Sequence, residues 1–460
     1  MDALLLAFSV LLPWAAGTAW LRLLPKAEPL PWTTAIGYGH FVGLLALTIV
    51  MRALSLAGMR WNFWVIAALV AAFGVVAVVV GRARIGTALA RPSMRAEWAG
   101  LGRGRRLLVG FLVAALVVRF AGLLLEIVWR PLFPWDAWMQ WATKARVWFE
   151  LGHMAPFVPF AEWVVADPAQ VFTDPAPGYP GTVPLLQVWS ALAIGRWDDA
   201  LMNVPWFACG VALAFAFYGQ VRAWGVSAFL AMIGTYLLMS LPFLNAHVAL
   251  AGYAELHMAA IYGLAAMACF LWARDGDARQ GWLALVLALA LPLIKKPGIF
   301  WLISFIPAYL IVLRPRVASI GLGIAAVAGV GVMFLLRESG MRVFGYSLTA
   351  DVNVAEITKA LGQNLFEMGN WNLFYWLVPA IAIAAWRRLF EGTLASITTM
   401  VAYGLYFLAI VFYFSIAGEW VSDFTTVNRA IFHMVPLTAF WALILVERFL
   451  HAPPPPPRLA

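Results

Sequence analysis

The feature that most constrains this chain is a series of apolar stretches, each about as long as a helix that crosses a bilayer. Hydrophobic residues make up 64% of the 460 residues, and charged residues only 12%. Soluble domains carry about a quarter charged residues, so too little polar surface remains here to cover a soluble core. A membrane β-barrel would instead show roughly ten-residue segments of alternating polarity. The sequence therefore predicts an all-α integral membrane protein.

The number of spans follows from the length of each apolar stretch. A helix of about 20 apolar residues crosses the hydrocarbon core of a bilayer. On this rule we predict about 13 transmembrane helices, near residues 3–21, 33–51, 61–81, 107–127, 200–219, 226–243, 254–272, 281–294, 298–313, 318–336, 371–386, 393–415 and 430–446.

The loop at residues 82–106, here called the basic loop, sets the orientation. It holds seven arginines and one acidic residue, Glu97. Loops rich in Lys and Arg stay in the cytoplasm. With the basic loop inside, the cytoplasmic segments carry a net charge of +12 and the outer segments −4. We therefore expect the N-terminus outside and the C-terminus inside.

Two outer segments are too long to be turns. They are the first outer loop, 128–199, and the second outer loop, 337–370. The first is rich in tryptophan and proline, and we expect it to carry juxtamembrane helices, with 181–195 lying at the membrane interface. We divide the chain into four parts: 1–106, three helices and the basic loop; 107–315, a catalytic membrane core with the first outer loop; 316–450, the C-terminal helices with the second outer loop; and 451–460, a proline-rich, disordered tail.

Four clusters of polar residues stand at the predicted outer ends of spans. Charged groups near a bilayer are costly and tend to mark sites. The orientation rests on the basic loop alone, yet all four clusters fall on the outer side. They are Asp136 with Trp138 and Lys144, then Tyr253 with Glu255 and His257, then Lys295 with Lys296, and a last group that includes Ser422, Asp423, Thr425, Arg429 and His433.

Each cluster alone has a simple structural interpretation. An acid in the first turn of a helix serves as a dipole partner, Glu255 pairs with a lysine, and interfacial lysines extend to the membrane surface. Together, the carboxylates, cations and tryptophans suit a sugar carried on a lipid phosphate: cations hold phosphate, and an acid activates a hydroxyl. A metal site of Glu255, His257 and His247 has weak support, because residues two apart on a helix point to different faces.

Several segments resemble the bacterial C-type membrane glycosyltransferases, which include the lipid A aminoarabinose transferase and the protein O-mannosyltransferases. The similarity lies in WDAWMQWATKARVWF (135–149), PGYPGTVPLLQVWSALAIG (177–195), GYAEL (252–256) and LIKKPG (293–298), in that order. It covers roughly residues 107–315 and the arginine before the last span. The resemblance implies a multi-pass protein of the bacterial inner membrane that transfers sugar from a polyprenyl-phosphate donor, with inversion, at the periplasmic face.

The resemblance also implies roles for individual residues. Asp136 matches the catalytic acid of the first outer loop, although Ala137 stands where relatives often carry a second acid. Lys295 matches a lysine that many relatives follow with Asn, Glu and Gly, whereas Lys296 and Pro297 follow it here. We assign Asp136 as general base and a substrate-binding role to Glu255, Lys295, Lys296, Arg429, Lys144, Trp138, Tyr253 and His257.

The expected partners are the lipid-linked donor, a glycan, lipid or protein acceptor, and membrane lipids, with no nucleic acid. The reaction requires no cofactor, and a divalent metal is compatible with it but unsupported by the residues. Three alternatives remain: a transporter or flippase of lipid-linked glycans, an O-antigen ligase or polymerase type of enzyme, and a non-catalytic assembly subunit. A transporter is expected to show internal repeats and ionisable groups at the midplane, where Arg119 is the one candidate.

The orientation is testable with reporter fusions. We expect a fusion at residue 95, in the basic loop, to report the cytoplasm, and a fusion at residue 165, in the first outer loop, to report the opposite side, because of the charge difference between the two sides. Reports from the same side for both fusions would contradict the topology and the grouping of the four clusters.

Overall fold

A computed structural model of the chain describes residues 1–23, 30–86, 100–167, 170–343, 346–421, 424 and 426–450. Most of the basic loop, the proline-rich tail, Ser422, Asp423 and Thr425 lie outside these residues. The regular secondary structure of the described residues is almost entirely helical, with a single two-stranded hairpin, which confirms the predicted all-α class. The helices are, in chain order, α1 (Asp2–Leu23), α2 (Trp32–Leu56), α3 (Phe63–Val80), α4 (Arg103–Trp129), α5 (Thr143–Leu151), α6 (Phe160–Trp163), α7 (Thr182–Ile194), α8 (Val204–Trp224), α9 (Ala228–Met239), α10 (Pro242–Ala249), α11 (Glu255–Asp275), α12 (Ala278–Ile294), α13 (Gly298–Ile303), α14 (Phe305–Leu313), α15 (Pro315–Leu336), α16 (Val354–Gly362), α17 (Phe374–Ala384), α18 (Leu394–Phe414), α19 (Thr426–Phe432) and α20 (Val435–Leu450).

Short helical turns and one hairpin complete the described structure. Two π-helical turns, Ala137–Ala142 and Gln363–Glu367, lie in the outer loops. Single 3₁₀ turns occupy Arg82–Arg84, Leu201–Asn203, Trp386–Arg388 and Ile416–Val421. The hairpin pairs β1 (Arg342–Val343) with β2 (Tyr346–Ser347) in antiparallel register.

Among the described residues, eight helices are long and apolar enough to cross a membrane, or ten if each of two bent pairs counts as one span. The protein is therefore a multi-pass membrane protein. The predicted count of 13 is not confirmed. The eight are α1, α2, α3, α4, α8 with the turn before it, α11, α15 and α18, and the bent pairs are α9 with α10 and α19 with α20.

Proline explains why two predicted spans, 226–243 and 430–446, are bent. The α9–α10 pair bends by 62° where α10 begins at Pro242, and the α19–α20 pair bends by 51° just before Pro436. Proline lacks a backbone N–H and fits the first turn of a new helix, so it starts α10 and α20 at a new angle. The predicted spans at 281–294, 298–313 and 371–386 correspond to apolar helices of 17 residues or fewer.

Glycines allow the first two helices to pack with their backbones in close contact. A Cβ atom on Gly43 would lie 1.8 Å from the carbonyl oxygen of Pro13, and one on Gly17 would lie 2.1 Å from that of Gly39. Small residues at such contacts are the usual means by which membrane helices approach closely. The N-terminal helices therefore form one tightly packed unit.

The helix α11 is the core of the bundle. It is buried along most of its length and packs against α8, α12 and α20. A buried polar network ties it to the N-terminal unit, since the Tyr38 hydroxyl donates to the Leu264 carbonyl at 2.7 Å and accepts from Gln220 at 2.6 Å. The first residue of α11 is Glu255, so the core helix itself presents this acid at its outer end.

Contacts between loops group them into two sides. Arg196, in the first outer loop, pairs with Asp2 at 3.0 Å, and the Trp61 amide donates to the Gly152 carbonyl at 2.7 Å. On the opposite side, Arg274 donates to the carbonyl groups of Ala223 and Trp224. In the topology derived from the basic loop, the two members of each of these pairs lie on the same side of the membrane.

The helix α7 corrects the expectation of an interfacial helix at 181–195. It forms as a helix, but nearly every one of its residues is buried, from Thr182 to Ala193. It packs against α1 and α5, and the Trp189 indole donates to the Ser9 carbonyl at 2.8 Å. An interfacial helix needs a polar face toward water. The polar side chains of α7 are instead buried, where Gln187 donates to Asn203 at 3.0 Å and Ser190 donates to the Leu186 carbonyl at 3.2 Å.

A buried ion pair holds the first outer loop together. Lys144 on α5 donates to Asp174 and, at 3.0 Å, to the carbonyl of Ala176. Both side chains are at most 2% exposed, and the Lys144 ammonium lies 5.1 Å from the centre of the Phe157 ring. Burial lowers the pKa of Lys144, and the Asp174 carboxylate opposes that shift. The pair therefore links the two halves of the loop.

Removing this lysine is expected to destabilise the loop. Lys144→Met leaves the Asp174 carboxylate buried without a cation, which costs about 3 to 5 kcal/mol in comparable cases. Thermal unfolding and limited proteolysis of the purified protein measure the effect. Arg146→Met is the matched control, because Arg146 is exposed on the same helix and should change stability by less than about 0.5 kcal/mol. Equal stability of the two variants would contradict a structural role for the pair.

Candidate functional site

Residues from all four sequence clusters meet in one network of charges. Asp136 precedes the helical segment that opens the first outer loop, Glu255 begins α11, Lys295 follows the last residue of α12, and Arg429 lies on α19. The four positions span nearly 300 residues of sequence. Their side chains nevertheless form a continuous chain of ion pairs, here called the charge network.

Arg429 is the centre of the charge network. Its Nη1 donates to the Asp136 carboxylate and lies 3.7 Å from Glu255 Oε1. The same Glu255 oxygen accepts from Lys295 Nζ at 2.6 Å. Because charge-assisted bonds of this kind are strong and directional, the two acids and two cations hold one another in place.

The two carboxylates differ in accessibility. The Glu255 side chain is fully buried, whereas that of Asp136 is 25% exposed and that of its partner Arg429 is 21% exposed. Glu255 Oε2 is buried and has no hydrogen-bond partner among the described residues. Asp136 is thus the carboxylate that a molecule outside the protein reaches, and Glu255 lies behind it.

Burial and charge act on Lys295 in opposite directions. Burial lowers the pKa of Lys295, but the neighbouring Glu255 carboxylate outweighs this, and the net pKa is raised. Lys295 is therefore protonated at neutral pH. It follows Ile294 in an extended conformation, which ends α12 and turns the side chain toward α11.

The segment that carries Asp136 is a π-helical turn. Pro134 accepts from the amide of Ala137 at 3.0 Å, and the turn runs from Ala137 to Ala142 before α5 begins. Such turns widen a helix and often lie at functional sites. Ala137 is fully buried, and a Cβ on Gly252 would lie 2.7 Å from the Ala137 Cβ. There is no room at position 137 for the second acid that relatives often carry.

The rings of two tyrosines lie next to the cations of the site. Lys295 and Lys296 place their ammonium groups 5.8 and 5.5 Å from the centre of the Tyr179 ring, which stacks on Trp141. The Arg429 guanidinium lies 5.2 Å from the ring centre of Tyr253. Burial raises the pKa of Tyr253 to about 12, although Arg429 opposes the shift. Tyr253 is therefore a neutral hydroxyl at physiological pH.

Lys296 differs from the other cations. It is exposed and forms no ion pair with a described residue. A Cβ on Gly178 would lie 2.8 Å from Lys296 Nζ, so the lysine lies against the PGYPG segment. Counting Lys296, which shares the Tyr179 ring with Lys295, the described residues of the site include three cations (Lys295, Lys296 and Arg429) and two carboxylates (Asp136 and Glu255), an excess of one positive charge.

Three residues assigned to the site by sequence lie apart from the charge network. Lys144 is in its own buried pair with Asp174. Trp138 is 44% exposed and contacts Trp135. His257 is buried with its ring against Trp206, and neither of its nitrogens has a hydrogen-bond partner among the described residues. His257 points away from the network because it lies two residues after Glu255 on α11.

Two tyrosines of the site are not among the residues predicted from sequence. Tyr179 lies in the PGYPG segment, more than 100 residues before Lys295 and Lys296, and only the fold brings its ring to the two ammonium groups. Tyr346 comes from the second outer loop. Burial raises the pKa of Tyr346, with Tyr179 adding to the rise and Lys295 opposing it, so Tyr346 lies within electrostatic range of Lys295. No feature of its sequence indicates this.

The histidines near the network serve packing. His433 accepts from the Trp301 indole at 3.0 Å through Nδ1. His247 approaches the Phe243 carbonyl at 3.0 Å through Nδ1, and its ring centre lies 5.1 Å from that of Phe432 with the two rings tilted by 47°. Within the described part of the chain, no group of three or more His, Cys, Asp or Glu side chains is arranged to hold a metal ion.

The arrangement has the parts of an anion-binding site with a carboxylate at its entrance. An excess cation attracts a negatively charged group, tyrosine rings offer flat surfaces, and a partly exposed carboxylate accepts a proton or a hydrogen bond. Comparisons with protein families, with characterised proteins and with solved structures gave no match.

Proposed function

We propose that the protein is a membrane glycosyltransferase of the bacterial inner membrane, with its site at the periplasmic face. It transfers a sugar from a polyprenyl-phosphate donor to an acceptor hydroxyl of a glycan, lipid or protein. The observation that carries the proposal is the charge network, in which Asp136, Glu255, Lys295 and Arg429 meet although they come from four distant segments.

The excess positive charge is the argument for a phosphate-bearing donor. Lys296 has no carboxylate partner among the described residues and lies beside Tyr179 and Lys295. A lipid phosphate placed there completes the charge balance. Cations fixed near the leaving oxygen stabilise the charge that develops on it as the glycosidic bond breaks.

Asp136 is the group suited to proton transfer. In the proposed reaction its carboxylate takes the proton of the acceptor hydroxyl while the oxygen attacks the anomeric carbon. The bond from that carbon to the phosphate oxygen breaks, and its electron pair stays on the lipid phosphate. Attack opposite to the leaving group inverts the anomeric centre, and the reaction consumes no cofactor.

Arg429 has two roles in this scheme. It holds Asp136 in the structure described here, and it is also a cation available to phosphate. Donor phosphate and Asp136 therefore compete for Arg429. Arrival of the donor draws the guanidinium toward phosphate and leaves the Asp136 carboxylate free to accept a proton.

The base is tested by Asp136→Asn, which keeps the side-chain shape and removes the proton acceptor. Transfer by the purified enzyme should fall by about 10²- to 10⁴-fold, the usual contribution of a general base. Binding of donor should be retained or strengthened, because Asn no longer competes for Arg429. Glu255→Gln is the control, expected to impair donor binding rather than proton transfer. A transfer rate near that of the wild type in Asp136→Asn would end the assignment.

The cations are tested by donor affinity. Lys296→Ala should weaken binding of the lipid-phosphate donor by about 1.5 to 3 kcal/mol, the value of a hydrogen bond to a charged group. Because Lys296 forms no ion pair with a described residue, its loss leaves the charge network intact. Arg429→Lys keeps the charge and should bind better than Arg429→Gln, while Arg146→Ala controls for loss of any nearby exposed cation. Unchanged affinity in both Lys296→Ala and Arg429→Gln would refute a phosphate site.

A further inference from the structure

Arg119 is a charged residue inside a membrane-spanning helix that the proposed reaction does not use. The helix α4 buries one stripe of side chains against α8, α9 and α10: Leu112, Leu116, Leu123 and Ile127. Arg119 comes three residues after Leu116 and four before Leu123, so it lies at the edge of this stripe. It is partly buried rather than fully exposed.

Within the described residues, Arg119 has no partner. Its Nε is buried without a hydrogen-bond acceptor, and its guanidinium forms no hydrogen bond, ion pair or ring contact with any residue that the structure describes. The other arginine toward the outer end of α4, Arg130, pairs with Glu126 at 3.3 Å. An unpaired charge inside a bilayer is costly, and such residues are usually paired.

Arg119 lies deep in the membrane. It lies seven positions before Glu126, which at 1.5 Å per residue is about 10 Å of helix. Side chains on a helix tilt toward its N-terminus, which for α4 is away from Glu126. The guanidinium is therefore held near the middle of a hydrocarbon core about 30 Å thick, beyond easy reach of lipid phosphates at the outer surface.

The surface around Arg119 is shaped for a neighbouring helix. Ala115 and Gly122, one turn before and after it, are small, and a Cβ on Gly122 would meet nothing within 4 Å. Small residues beside a polar one permit close approach of a second helix and hydrogen bonding across the interface. This edge of α4, formed by Ala115, Arg119 and Gly122, is here called the α4 edge.

We propose that the α4 edge binds a transmembrane helix of another protein that carries a carboxylate at the depth of Arg119. The positive charge of Arg119 favours an acidic partner. Because Arg119 lies near the middle of the hydrocarbon core, a transmembrane helix reaches it, whereas a lipid headgroup at the surface does not. A second copy of the chain fits less well, because the acid on α4 is Glu126, which lies two turns away and already pairs with Arg130. The proposal does not depend on the enzymatic activity.

The test uses the full chain in phosphatidylcholine vesicles and a labelled 21-residue Leu/Ala peptide with one central Asp. Energy transfer between the labelled protein and the peptide at pH 8 measures association, and a peptide with Leu in place of Asp is the reference. We expect the Asp peptide to associate about fivefold or more tightly. Arg119→Leu should abolish the difference, and Arg130→Gln, which removes an arginine at the membrane surface, should preserve it.

Other outcomes overturn the proposal. Equal association of the two peptides with the wild-type protein, or a preference for Asp that survives Arg119→Leu, would remove Arg119 from the interface. Loss of the preference when phosphatidylglycerol is added would assign Arg119 to an anionic lipid. Energy transfer between labelled copies of the protein that depends on Arg119 would assign the α4 edge to a second copy of the chain.

Discussion

The bond from Arg429 to Asp136, with Glu255 close behind, is the interaction on which the organisation of the outer face depends. One guanidinium joins the start of the first outer loop, the outer end of the core helix α11 and the short helix α19. Lys295 extends the contact to the end of α12. Each of these charges would be costly next to a bilayer if it were alone, so the four side chains stabilise one another.

The breaks in the membrane helices make that unit possible. A straight span would carry its polar end directly to the membrane surface. Lys295 instead follows the short helix α12 in an extended conformation, and Arg429 lies on α19, the shorter helix of a bent pair. Prolines at the breaks let the backbone change direction near the membrane boundary. The residues that shorten the spans thus also direct charged side chains toward one point.

Sequence reasoning identified the class of the fold and the members of the charge network for physical reasons that can be named. Long apolar stretches permit little besides membrane helices, and charged residues at the ends of spans are rare enough to stand out. It did not recover which charges pair with which. Lys144 and Lys295 are both lysines near the predicted ends of apolar segments, and their sequence does not distinguish their partners. Lys144 pairs with Asp174, thirty residues away, while Lys295 contacts Glu255 on another helix. The choice of ion-pair partner depends on tertiary contacts, which local sequence patterns do not encode. The burial of α7 and the position of Tyr346 depend on tertiary contacts in the same way.

The pairing of acid with cation also bears on how such a site avoids unwanted reactions. A free carboxylate beside a bound sugar donor activates water as readily as an acceptor hydroxyl. In the structure described here the exposed carboxylate, Asp136, is occupied by Arg429. If the donor phosphate must bind Arg429 before the Asp136 carboxylate can accept a proton, then Asp136 acts as a base only while donor is bound. In the proposed reaction, the excess charge at Lys296 supplies the first attraction for the phosphate, and Glu255 keeps Lys295 and Arg429 close enough to receive it. That proposal makes the buried acid, Glu255, a positioning residue and the partly exposed acid, Asp136, the reacting one.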